Sequence, residues 1–171
     1  MGKVEHAIWK DYLYLKQVYP ELYMCRIEVK PPRIATGTVI LPEFRSMPRE
    51  VKALYSFPIQ VLYPDDFPNH AIRVFDAEER IDFDVIPPEH QHTLGELGLC
   101  THHPYALKLV RNKENQSLLI IRSAILLYLA YLDCLKTGKW PAKFKGLPHG
   151  EAGERQAKRD LEKGMKYWRS W

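Results

Sequence analysis

Apolar positions recur at helical spacing across residues 4–19, where Ile8, Tyr12, Leu15 and Tyr19 are separated by Lys10, Asp11 and Lys16. That spacing predicts an amphipathic helix. Pro20 ends it, because the pyrrolidine ring has no N–H to donate and clashes with the preceding turn. The period then shortens to two. Residues 23–30 set Met24 and Arg26 on one face and Cys25, Ile27 and Val29 on the other, so a first strand is expected with Cys25 in the core. Pro31 and Pro32 break it. Residues 34–41 are β-branched around Gly37 and predict a second strand, and residues 42–52, with two prolines, predict a polar loop. Residues 54–63 alternate around Tyr55, Phe57, Ile59, Val61 and Tyr63, a third strand. The run from Tyr63 to His70 carries Pro64, Pro68, Asp65 and Asp66 and predicts a rigid turn. Ile72 to Phe75 supplies a short fourth strand. Short links between successive strands favour an antiparallel meander. Residues 77–90, with Glu78, Glu79, Asp82, Asp84, Pro87 and Pro88, fit neither a helix nor a long strand.

The second half returns to helical spacing. Leu118 to Leu135 is mostly aliphatic, Ser117 is a capping residue for its start, and Gly138 is a stop for its end. Arg122 and Asp133 interrupt the run. An Arg at the centre of a membrane span costs roughly 2.5–3.5 kcal/mol, so a buried core helix accounts for this segment better than a membrane span. Cys134 is expected to pack inside that helix. Residues 104–116 read as a basic loop with Lys108, Arg111 and Lys113. A second loop holds Trp140, Pro141 and Pro148-His149-Gly150. Residues 154–170 predict a final helix with Ala157, Leu161, Met165 and Trp168 as its apolar stripe.

Composition narrows the class. At 171 residues the chain suits one domain, and 46% hydrophobic with 27% charged residues is the balance of an ordinary globular protein. The net charge of +4 is spread without a dense basic block, so no nucleic-acid partner is expected. The three widely spaced cysteines, Cys25, Cys100 and Cys134, do not form a disulfide framework. The N-terminal residues lack the apolar run of a signal peptide, which makes the cytoplasm the expected location.

The chemistry concentrates between His90 and His103. These fourteen positions hold Cys100, two glycines and four of the seven histidines. A thiol near an imidazolium or a helix N-terminus gains thiolate character, and a thiolate is the nucleophile of acyl transfer. Cys100 is therefore the candidate nucleophile. Core filling is the plain alternative for it. Zinc held by His90, His92 and His102 is another, but no paired Cys-x-x-Cys ligands accompany them, and no metal is expected. No cysteine-protease signature surrounds Cys100. No G-x-G-x-x-G loop is present, so neither a nucleotide site nor another cofactor is expected.

The order of elements, and two motifs within it, resemble the ubiquitin-conjugating (UBC) family over roughly residues 4–137. Tyr63-Pro64-Asp65-Asp66-Phe67-Pro68 is similar to that family's Tyr-Pro-x-x-Tyr/Phe-Pro turn, and Ile72-Arg73-Val74-Phe75 to the strand after it. The family's His-Pro-Asn triplet, ten to eight residues before its cysteine, corresponds to His90-Gln91-His92. The His is kept; the Pro and Asn are not. Gly98-Leu99-Cys100 resembles the family's Gly-x-Ile-Cys with the glycine one place closer. Among bacterial UBC-like proteins the resemblance is nearest to the short ones encoded beside cGAS-like nucleotidyltransferases (CD-NTases) in antiphage CBASS operons. The residues that carry it are Leu99-Cys100-Thr101-His102-His103-Pro104, Thr137-Gly138-Lys139-Trp140 and Pro148-His149-Gly150.

This resemblance implies an α+β fold of the UBC type. Its parts would be an N-terminal helix, a four-stranded antiparallel meander, an active-site loop, a long helix and a final helix. Residues 1–150 would form the domain and residues 151–171 a helical extension packed on it or on a partner. It implies a transferase in which Cys100 carries a partner protein's C-terminus as a thioester and passes it to an amine. His92 would stand in for the family's Asn as an oxyanion donor, or would only hold the loop, with His90 beside it. The donor would be a CD-NTase or a small ubiquitin-like protein, with a separate activating enzyme. The alternatives are a UBC-like module that only binds partners, and a conjugating enzyme for a bacterial ubiquitin-like modifier outside CBASS.

Overall fold

Helix α1 (Lys3–Val18) forms where the apolar spacing predicts it, with Ile8, Tyr12 and Leu15 buried. In the computed structural model the described residues are 2–25, 33–87, 93–94, 98–101, 116–144, 155 and 159. Glu5 Oε2 accepts from the Gly2 N–H at 3.3 Å at the start of α1. The chain turns at Tyr19 and Pro20, and side chains of α1 then hold the segment beyond the turn. Tyr12 Oη accepts from Met24 N at 3.2 Å, and Lys16 Nζ donates to the Leu22 carbonyl at 2.6 Å.

A single antiparallel sheet comes next. Its strands are β1 (Tyr23–Met24), β2 (Ile34–Val39), β3 (Phe57–Leu62), β4 (Arg73–Asp76), β5 (Thr93–Leu94) and β6 (Gly98–Leu99). They lie in the order β1-β2-β3-β4-β6-β5. The first four are the expected meander. β2 runs against β3 from Ile34 opposite Leu62 to Val39 opposite Phe57, and β3 against β4 from Ile59 opposite Asp76 to Leu62 opposite Arg73. The pleat alternation sends Phe57, Ile59, Val61 and Val74 into the core.

Two further α-helices have described bounds. A short one, α2 (Arg49–Tyr55), precedes β3. The long apolar segment forms α3 (Gln116–Thr137), whose 22 residues close the core and bury Ile120, Ile121, Ala124, Ile125, Tyr128 and Tyr131. By length and composition α3 could cross a membrane, and half of its most apolar window is buried within this fold. Tyr128 stacks on Phe57 with ring centroids 4.5 Å apart, and its hydroxyl donates to the Leu54 carbonyl at 3.1 Å. Gly138 ends α3 as expected, at φ +70° with its N–H on the Cys134 carbonyl at 2.8 Å. The whole is an α+β fold with a long helix on either side of the sheet in chain order.

Several expectations are corrected. Residues 42–52 are not a loop throughout: a 3₁₀ turn at Pro42–Phe44 leads into α2. The third strand begins at Phe57 and not at Leu54, because Leu54 and Tyr55 belong to α2, where Tyr55 stacks on Phe44 at 4.6 Å. Cys25 lies past β1 and is only half-buried, so it is not a core residue. Residues 26–32 lie outside the described residues. Ser117 does not cap α3 from outside; the helix already includes Gln116, and Ser117 is its second residue. Residues 77–87 hold no helix or strand beyond a 3₁₀ turn at Phe83–Val85, and the segment that leads to the cysteine adds two short strands, β5 and β6, to the expected meander. Arg155 and Arg159 are helical, and the rest of the expected final helix lies outside the described residues.

Candidate functional site

Cys100 comes directly after β6, and the sheet fixes its position. Gly98 of β6 pairs with Phe75 of β4 on one side and with Leu94 of β5 on the other. Because β6 runs antiparallel to β4, the chain leaves it at Cys100 toward the Arg73 end, and Arg73 faces Leu62 at the far end of β3. That is the end of the sheet from which the proline turn leaves. Successive side chains point to opposite faces. Leu99 is buried, like Val74 of β4, and Cys100, just past the strand, is half-buried. Arg73, the first residue of β4, is exposed, its guanidinium 5.4 Å from the Phe75 ring centroid. Thr101 turns inward again and is buried. None of the three cysteines is in a disulfide.

The turn at this end is built from its own side chains. Phe67 N donates to the Pro64 carbonyl at 3.1 Å and Asn69 N to the Asp66 carbonyl at 2.9 Å. His70 Nδ1 lies 2.6 Å from Asp66 Oδ2. The Phe67–Pro68 peptide is cis. Tyr63 and Phe67 pack edge to face at 5.1 Å, both buried, and Asp65 pairs with Arg33. The expected turn over residues 63–70 is present. The loop beyond β4 is also held from within: Asp76 is buried and accepts from Ile81 N at 2.8 Å and Glu78 N at 3.3 Å. Ile81 and Ile86 are buried, which pins this acidic loop to the core.

Of the residues expected to act with Cys100, His90 and His92 lie outside the described residues, as do Gln91, His102 and His103. Among the described residues no group of three metal-ligating side chains comes together. The described part of the site is therefore the thiol, its flanking strand and the neighbouring proline turn.

Comparison with protein-family models, curated proteins and solved structures finds no match. The functional reading therefore rests on the residues themselves.

A polar cluster that the periodicity did not single out lies beneath the turn. Tyr63 Oη donates to Asp11 Oδ2 of α1 at 2.9 Å. Ser117 of α3 faces the same carboxyl, yet its buried Oγ has no partner at full hydrogen-bond geometry. Burial pushes the Asp11 carboxyl above the usual carboxylate range, and the Ser117 and Tyr63 side chains draw it partly back. The signal was present: Asp11 is three residues after Ile8 and four before Leu15, on the buried face of α1. On a second face of the core, burial pushes the Tyr19 phenol up to about 12, with Arg122 and Arg45 opposing the shift.

Proposed function

We propose that this chain is a ubiquitin-conjugating-like transferase with a UBC-type fold. Cys100 accepts a partner protein's C-terminal carboxyl group as a thioester and passes it to an amine. The observation that carries this reading is the half-buried Cys100 directly after β6, where the chain leaves the sheet toward the end from which the Tyr63–Asn69 proline turn departs. The helix–antiparallel sheet–long helix order supports it.

Loading is an exchange of thioesters. The Cys100 thiolate attacks the carbonyl of the thioester that joins the donor protein's C-terminus to a cysteine of the activating enzyme, a new C–S bond forms, the old C–S bond breaks, and the activating enzyme's thiolate leaves. In transfer the acceptor amine attacks the Cys100 thioester, a C–N bond forms, the C–S bond breaks, and the amine's proton passes to a base. Aminolysis builds negative charge on the carbonyl oxygen, and a preorganised donor there is worth about 100- to 1000-fold in rate. His92 is the candidate donor, with His90 beside it in sequence. The donor protein is a CD-NTase or a ubiquitin-like protein, and the setting is antiphage (CBASS) signalling in the bacterial cytoplasm. Adenylation of the carboxylate falls to a separate activating enzyme, because this sequence has no phosphate-binding glycine loop.

Co-expression with neighbouring operon proteins, followed by intact-mass analysis, tests this. Wild-type protein should carry an adduct that dithiothreitol removes, and Cys100→Ala should carry none. His92→Ala should load normally and discharge to amine more slowly. An adduct that persists in Cys100→Ala, or no adduct on wild-type protein with any co-expressed neighbour, would overturn the proposal.

A further inference from the structure

The outer face of α3 departs from the pattern of a helix packed on a core, which is apolar inward and polar outward. Leu119, Leu126 and Leu129 on that face are only half-buried, and Arg122 and Asp133 on the same face are exposed. These are the two charges that interrupt the apolar run. No ion pair among the described residues engages either of them.

At 3.6 residues per turn, Arg122 and Asp133 stand three turns apart, roughly 16 Å along the axis and within about 20° of one line. Leu126 and Leu129 fall between them, about 30° to either side of that line. The stripe is symmetric: the midpoint of 122 and 133 is also the midpoint of 126 and 129, between Leu127 and Tyr128. A second α3 laid antiparallel about a two-fold axis at that midpoint would set Arg122 against the partner's Asp133, and Leu126 level with the partner's Leu129. Four leucines would meet at the centre, with an arginine–aspartate pair at each end. One turn further out, the aliphatic stem of Lys136 would cover the partner's Leu119 while its ammonium stays in water. A parallel pair would set arginine against arginine and aspartate against aspartate.

We propose that α3 is the interface of a homodimer, in which two copies of this chain pack antiparallel through the Arg122, Leu126, Leu129 and Asp133 stripe. The charges select a second copy as the occupant, because the surface complementary to this stripe is the stripe itself. A lipid surface would take the leucines and leave both charges unpaired. One helix pair is a small interface, so the dimer is weak, and its charges serve orientation more than affinity. The inference is independent of the chemistry of Cys100.

Sedimentation equilibrium of the full chain, from low micromolar to near-millimolar concentration, reads the association. Wild type should pass reversibly from monomer to dimer, and added salt should weaken the dimer. Arg122→Glu and Asp133→Arg should each weaken it about tenfold or more, because the two-fold axis turns one substitution into two like-charged pairs. The double variant Arg122→Glu/Asp133→Arg exchanges the signs of both pairs and should restore the wild-type association. In wild type, without any substitution, the NMR methyl signals of Leu126 and Leu129 should move as the protein is diluted. A wild-type chain that stays monomeric throughout, as it would with residues 145–171 or a different protein over α3, overturns the proposal. So does a dimer whose dilution leaves those methyls unmoved, one that neither reversal weakens, or one that the folded double variant fails to restore.

Discussion

Gly37→Ala is expected to be among the most damaging single-methyl additions in this chain. Gly37 sits in the middle of β2 at φ +151°, where a side chain is strained whatever the space. The space is also taken. A Cβ there would come 2.2 Å from the Glu21 carbonyl oxygen and 2.9 Å from Leu22 Cα, both backbone atoms. Neither side can retreat. Gly37 is locked opposite Ile59 in the β2–β3 ladder. The Leu22 segment is held by its N–H on the Tyr19 carbonyl at 3.1 Å and by Lys16 Nζ on its own carbonyl at 2.6 Å, with the Leu22 side chain fully buried. Backbone strain of this kind costs about 1–3 kcal/mol, and overpacking against fixed atoms costs about 1–3 kcal/mol more. For a domain of this size each kcal/mol lowers Tm by about 2–4 °C, so a loss of roughly 5–20 °C is expected. Gly138→Ala is the control. It has φ +70° and no atom within 4 Å of a built Cβ, so it carries strain alone, about 1–2 kcal/mol. Thermal unfolding of the three proteins under one condition makes the comparison. If Gly37→Ala unfolds within about 2 °C of Gly138→Ala, the steric argument is wrong and the backbone there yields far more than the ladder implies.

Other substitutions separate structural from chemical roles. Cys134→Ala should cost about 1 kcal/mol, because the thiol is buried in α3, whereas Cys25→Ala should stay within about 0.5 kcal/mol of wild type in urea unfolding. A larger loss for Cys25 than for Cys134 would reverse that ranking. Asp76→Ala should lower stability by about 1–3 kcal/mol, since it removes the acceptor of Ile81 N and Glu78 N in a buried place. An unchanged urea midpoint would mean that water replaces it at no cost. Cys100→Ala should leave the unfolding midpoint within about 0.5 kcal/mol of wild type while abolishing the thiol-sensitive adduct, because its side chain is only half-buried.

The parts of the fold that obey strict periodicity were legible in the sequence. α1 has its buried residues at the predicted positions, the four-strand meander forms, and Gly138 stops α3. The errors fall where local pattern and tertiary packing disagree. Tyr55 has the right parity for a strand with Phe57 and Ile59, but its ring is drawn to Phe44 and the chain stays helical until Ser56. Cys25 has the parity of a core position, yet it lies beyond the last β1 residue, where no layer covers it fully. β5 and β6 have two residues each, too short for any alternation to register.

Asp11 shows why a polar residue within an apolar stripe carries more information than the stripe itself. Ile8, Tyr12 and Leu15 would bury that face of α1 whatever stood at position 11. A carboxyl there adds desolvation that a Leu or Ala would not. That carboxyl accepts from a tyrosine, Tyr63, that also packs edge to face on Phe67 of the proline turn. Cys100 is at that same end of the sheet, one strand over from the β4 residue that faces Leu62. Asp11 is tied to the turn through one residue, Tyr63, whose hydroxyl donates to the carboxyl and whose ring packs on Phe67.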